Sequence, residues 1–164
     1  MVEQCQEASD LLWGPAVQVA LSGHSLLIVP RSWMSPEFGR RVLVAWNGSA
    51  QAAAAVRKSL PLLRRARQVT LLLGASRGMF PASLRMTSLD PLAYLRHQGI
   101  EAETKILEPD ADAGEAILKV AKELGSDLIV MGAFGRSRFQ EWILGGATRH
   151  VLEHMAVPVF MTHK

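Results

Sequence analysis

Four glycines frame one basic, aromatic-bearing segment in the last quarter of the chain. Residues 130–151 read VMGAFGRSRFQEWILGGATRHV, with the spacing Gly132-x2-Gly135-x9-Gly145-Gly146. An apolar run feeds the first glycine, and helical composition follows the last pair. Loop glycine costs ordering entropy, so it marks a positive φ or a close approach. A strand entering a glycine turn, with more glycines opening a helix, is a layout that cradles phosphate. Backbone N–H groups converge, no Cβ blocks the ligand, and the helix N-terminus adds positive potential. Arg136 and Arg138 add full charges. The same glycines also suit tight turns and close helix–sheet packing, and spacing alone leaves both readings open. It is too long for a dinucleotide fingerprint, and the lysine of a P-loop is missing.

Other reactive patterns are weaker. HVLEH (150–154) matches the H-x-x-E-H of some zinc peptidases. Two histidines four apart share a helix face, but a third ligand would have to follow well downstream. An ordinary half-exposed helix face is expected instead. EPDAD (108–112) gathers carboxylates where a helix start welcomes acids. Neither a G-x-S-x-G elbow nor a paired-carboxylate site occurs. The expectation is a binding protein and not an enzyme, with at most slow ATP hydrolysis.

These groups need a frame, and the chain supplies an alternating one. RVLVAW (41–46), QVTLLLG (68–74), EAETKILEP (101–109), SDLIVMG (126–132) and VPVFMTH (157–163) read as strands. Helical segments lie between them, over 50–66, 88–99, 110–125 and 146–155. Pro61 should kink or break the last turns of the first. Gly99 and Gly125 end the second and third, and Asp112 with Glu115 has capping-box spacing. ASRGMFPASLRMT, after the second strand, is a long loop. Continuous apolar strands separated by helices imply a parallel sheet covered on both faces, an α/β doubly wound domain. Such sheets bind ligands beyond the carboxyl ends of their strands. NGS (47–49) and the Gly132 turn both lie at that edge.

With 164 residues, 49% hydrophobic and 20% charged, the chain can bury a sizeable core. No apolar run approaches the roughly 18 residues of a membrane span, so no membrane role is expected. The acidic, polar start lacks signal-peptide features. The single cysteine, Cys5, cannot pair internally. A cytoplasmic protein is expected. The net charge of +3 is mild and aromatics make up 6%. No stacking platform is visible, and no nucleic-acid partner is expected.

The first 40 residues stand outside this rhythm. Residues 11–30 read as a helix and a strand, SLLIVP (25–30). At an offset of 132, Gly14 meets Gly146, Val19 meets Val151, Leu27 meets Val159 and Ile28 meets Phe160. The pattern repeats the last helix and last strand of the domain. Residues 1–40 therefore read as an N-terminal extension and linker, and 41–164 as the α/β domain.

VLVAWNGS, GEAIL followed by LGSDLIVMGAFGRSRFQEWILGGATRHVL, and VPVFMTH together resemble the universal stress protein family over residues 41–164. The resemblance implies a five-stranded parallel sheet of order 3-2-1-4-5 and a homodimer made by pairing last strands. It also implies adenine-nucleotide binding, ATP or AMP, in members with this glycine spacing. Carried over, Gly132, Gly135, Arg136, Gly145, Gly146, Ala147 and Thr148 would hold phosphates and ribose, and Trp46 and Asn47 would face the nucleoside. The chain departs from the family pattern in two places. Gly146 stands where a hydroxyl residue is usual, for which Thr148 or Ser137 would compensate, and Asn47 stands where an acid is usual. A nucleotide-free protein–protein interaction module of the same fold is the alternative. The repeat at 11–30 further implies descent from a tandem protein that lost most of its first domain. Its retained strand would cover the edge 157–163, within the chain as a pseudo-dimer or by exchange between two chains.

Overall fold

The computed structural model describes residues 22, 24–74, 90–107, 112–133 and 146–163. The helix expected before residue 25, the loop after Gly74, and Gly135, Arg136, Ser137, Arg138 and Gly145 lie outside them. Six strands are described: β1 Ser25–Ile28, β2 Arg41–Trp46, β3 Gln68–Leu73, β4 Glu103–Ile106, β5 Leu128–Gly132 and β6 Val159–Thr162. Four helices join them: α1 Ala50–Leu63, α2 Pro91–His97, α3 Ala113–Glu123 and α4 Gly146–His154. The sheet order is β1-β6-β5-β2-β3-β4. Strands β2 to β6 are mutually parallel, with Val42 beside Val69 and Leu128, Ile129 beside Val159, and Thr70 beside Glu103.

Those five strands run in the expected order. The sheet has six strands where five were expected: β1 joins it antiparallel to β6, at the edge 157–163 that this segment was expected to cover. An edge strand with free N–H and C=O groups is satisfied by any strand that reaches it, and β1 is tethered close by.

Burial follows position in the sheet. In β2, Leu43 belongs to the apolar cluster with Ile117, Val120, Val151 and Leu152, under α3 and α4. Its neighbours Val42 and Val44 belong to the opposite cluster with Ala55, Val56, Leu63 and Leu95, under α1 and α2. Strand side chains alternate between faces, so a central strand with both faces covered must be apolar throughout. At the edges, β1 and β4 alternate or lie exposed instead.

Helix ends carry their sequence signals. The Ser49 side chain accepts from the Ala52 N–H and starts α1. Pro61 lies inside α1, which runs only two residues further, to Leu63 instead of the expected 66. Tight turns, Arg65 N–H to Leu62 O and Ala66 N–H to Leu63 O, then unwind it. In α2, Asp90 caps the start, accepting from Leu92 N–H and Ala93 N–H, with Pro91 first in the helix. Asp112 accepts from Glu115 N–H at 3.0 Å and caps α3. Gly99 and Gly125 have φ of 73° and 59°, the left-handed values that close a helix. A Lys105–Glu123 ion pair of 2.7 Å ties β4 to the end of α3. The hydrogen bond and charge of Lys105 hold the Glu123 carboxyl below the usual carboxylate range.

Asp127 joins the linker to the sheet. Its carboxylate accepts from the N–H groups of Gly39, Arg40 and Arg41, all within 3.0 Å. Its own N–H donates to Arg41 O.

Candidate functional site

A cavity of about 160 Å³ opens beyond the carboxyl ends of β2, β3 and β5. The strand ends are stitched level by backbone hydrogen bonds, Gly74 N–H to Trp46 O and Leu107 N–H to Leu73 O. The apolar floor is Ala45, Leu72, Met131 and Ile117. Gly146, Ala147 and Thr148, the opening turn of α4, form one wall, and Ala113, the first residue of α3, stands beside them. The first N–H groups of a helix have no intrahelical partner. Two helices therefore start at one cavity; the Asp112 carboxylate already takes the Glu115 N–H at the start of α3, which leaves the start of α4 as the end favourable for an anion. Among the described residues that line it, none carries a charged side chain.

α3 and α4 converge there because their contact is tight. A Cβ on buried Gly114 would meet His150 Cβ at 2.7 Å and Ala147 O at 3.1 Å. Only a glycine lets the two helices approach this closely.

Six of the residues expected at the site border this cavity: Trp46, Asn47, Gly132, Gly146, Ala147 and Thr148. Gly135, Arg136 and Gly145 lie outside the described residues. The six differ in what they offer. Among the described residues, a Cβ on Gly146 would meet nothing within 4 Å. At Gly132 the neighbour is the protein's own backbone: a Cβ would lie 2.6 Å from Ala52 N and 2.7 Å from Gln51 C. That glycine lets the first turn of α1 pass across the end of β5. Trp46 borders the cavity but packs against the cluster on the α1–α2 face, in step with Val42 and Val44. Asn47 is exposed, and its Oδ1 accepts from Ser49 N–H at 3.1 Å, leaving the amide NH₂ as its donor. Thr148 is 4% exposed, a hydroxyl held in the wall.

Reading the sequence missed Gly74, Leu107, Ala113, Ile117 and the apolar floor. Gly74 and Ala113 had a usable signal, since a strand end and a helix start both fall at the ligand edge of a parallel sheet. The floor had none, because its residues look like any other core residues.

HVLEH forms part of α4 as expected. The His150 and His154 rings stack with centroids 4.5 Å apart, and His154 Nδ1 lies 3.0 Å from His150 O. Glu153 accepts from Arg149 Nε at 2.7 Å. Among the described residues no cluster of three or more His, Cys, Asp or Glu is placed to hold a metal.

A family model described as the Universal stress protein family matches residues 39–163. A universal stress protein of Synechocystis sp. is 34% identical over 65 residues, 40% of this chain and 22% of the relative. One of Methanocaldococcus jannaschii is 34% identical over 50 residues, 30% of this chain and 31% of the relative. The matched stretches thus span under a third of these relatives' own length. The solved structure of the Methanocaldococcus protein superposes with a TM-score of 0.64 at 20% identity, covering 78% of this chain and 98% of that one. A universal stress protein from Archaeoglobus fulgidus, solved in complex with dAMP, has a TM-score of 0.52 at 21% identity, covering 73% and 94%. A family protein from Arabidopsis thaliana, solved with AMP bound, has a TM-score of 0.52 at 22% identity, covering 76% and 90%.

Proposed function

We propose that this chain, which belongs to the universal stress protein family, binds an adenine nucleotide in the cavity beyond β2, β3 and β5, and acts through ligand-dependent conformation or partner binding. The observation that carries this reading is the start of α4, with the start of α3 beside it, at one apolar-floored cavity with an exposed glycine at its rim. An apolar floor suits a purine face, and free helical N–H groups suit a phosphate. The nucleotides in the related structures, AMP and dAMP, support the choice of base. The role is binding, with at most slow hydrolysis of ATP. Among the described residues no helix is long and apolar enough to cross a membrane, which fits the cytoplasmic placement we propose.

Titration calorimetry of the folded chain with AMP and with ATP tests this. Saturable binding of at least one at or below millimolar ligand is expected. Absence of heat with both, at millimolar ligand, sinks the reading. It would favour the nucleotide-free interaction module, a second reading supported by Gly132, whose missing Cβ is already accounted for by α1.

A further inference from the structure

A second, smaller cavity of about 70 Å³ lies between α1 and α2. The sheet separates it from the cavity described above. Leu72, Met131 and Ile117, the floor of the larger cavity, belong to the cluster under α3 and α4. Val56, a wall of the smaller one, belongs to the cluster under α1 and α2. Helical spacing builds this second cavity. Ala53, Val56 and Arg57 share one face of α1 at i, i+3 and i+4, and Pro91 and Tyr94 share one face of α2 at i, i+3. Trp46, the last residue of β2, completes the lining. Ala53 is the small member of its helix face, and its lone methyl leaves the room.

We propose that this cavity binds a small branched aliphatic carboxylate, with the alkyl group inside and the carboxylate on Arg57. Trp46, Ala53, Val56, Pro91 and Tyr94 supply apolar walls, and Arg57 is the charged residue among the described lining. Apolar walls with a few polar groups are the composition of a ligand site, whereas a packing void has no need of a cation at its rim. The Arg57 side chain is exposed, and among the described residues it is in no ion pair. Its planar fork matches a carboxylate. Asp90, next in the chain to Pro91, is engaged elsewhere: its carboxylate accepts from Leu92 N–H and Ala93 N–H. Size narrows the ligand further. An apolar cavity of about 150 Å³ takes benzene, so half that volume takes an alkyl group of about three or four carbons. A free amino acid would bring an ammonium group for which the described lining holds no anion.

Isovalerate is the probe, and the indole N–H signal of Trp46 is the readout in ¹⁵N spectra of the full chain, assigned by its loss in Trp46→Phe. A saturable shift at millimolar isovalerate is expected. Isopentyl alcohol, with the same alkyl group and no charge, and leucine, with an added ammonium, are expected to bind about tenfold more weakly, the low end for a charge-assisted hydrogen bond. Trp46 borders both cavities, so two variants decide which one the probe has entered. Arg57→Gln, at an exposed position, is expected to weaken isovalerate about tenfold and to bring it level with the alcohol. Ala53→Leu fills the cavity and is expected to abolish the shift. No shift at tens of millimolar overturns the proposal. Equal binding of acid and alcohol overturns it too, since that is a packing void. So does undiminished binding in Arg57→Gln or in folded Ala53→Leu. Should Ala53→Leu fail to fold, the comparison of Arg57→Gln with the unaltered chain decides alone.

Discussion

Gly132 and Gly146 look alike in the sequence and stand in opposite surroundings. The methyl of Gly132→Ala would lie 2.6–2.8 Å from Ala52 N and from Gln51, so either α1 or the end of β5 must shift. Overpacking of this kind costs about 1–3 kcal/mol, and backbone cannot rotate aside as a side chain can. Urea unfolding of Gly132→Ala should show a loss of about that size, and an unchanged midpoint would mean α1 slides freely. Gly146→Ser has room, since no described residue lies within 4 Å of its Cβ. If a phosphate sits at the start of α4, the added hydroxyl should tighten nucleotide binding by about 1 kcal/mol, the usual net worth of a hydrogen bond. Calorimetry showing no gain, on a chain that binds nucleotide, would place the phosphate elsewhere. Asn47 completes the residue scale. Its carbonyl is engaged by Ser49 N–H, so it can offer a ligand its amide hydrogens but not the negative charge of an aspartate.

Among the elements, the linker before β2 depends most on a single side chain. Asp127 accepts three N–H bonds from Gly39, Arg40 and Arg41. Bonds to an ionised acceptor are worth about 1.5–3 kcal/mol each when well shielded, and two of these three are exposed. Asp127→Ala should therefore destabilise the chain by about 2 kcal/mol in denaturant unfolding, and should loosen amide exchange first at Gly39–Arg41. Full protection of those amides in the variant would show that Phe38, packed on the α1–α2 cluster, holds the linker alone. Much at this scale was legible beforehand. The Asp112 cap and the Gly99 and Gly125 stops are local devices, so they could be read from neighbouring residues. The end of α1 lies three residues short of the expected 66, because LLRRA (62–66) has helical composition but follows Pro61, which withholds its donor. α2 starts three residues later than the expected 88, because Asp90 caps it and Pro91 takes the first helical position.

For the whole molecule, alternating apolar strands and amphipathic helices settled the class of fold, since a strand that must be apolar on every residue can only be covered on both faces. The family resemblance supplied the order of the five parallel strands, and the repeat at residues 25–30 pointed to the β6 edge. Those are properties of pattern, and pattern is carried by the chain itself. What the tertiary structure alone decided is which residues meet at distance. It put β1 antiparallel beside β6, with Leu26 opposite Met161 and Ile28 opposite Val159. It assigned Gly132 to the passage of α1 and left Gly146 open at the cavity rim. It brought the starts of α3 and α4 together over Leu72, Met131 and Ile117, residues far apart in sequence that share a surface only after the sheet has formed. The spacing of glycines told where a ligand edge would be, but whether a glycine makes room for a helix or for a ligand depends on what folds back against it.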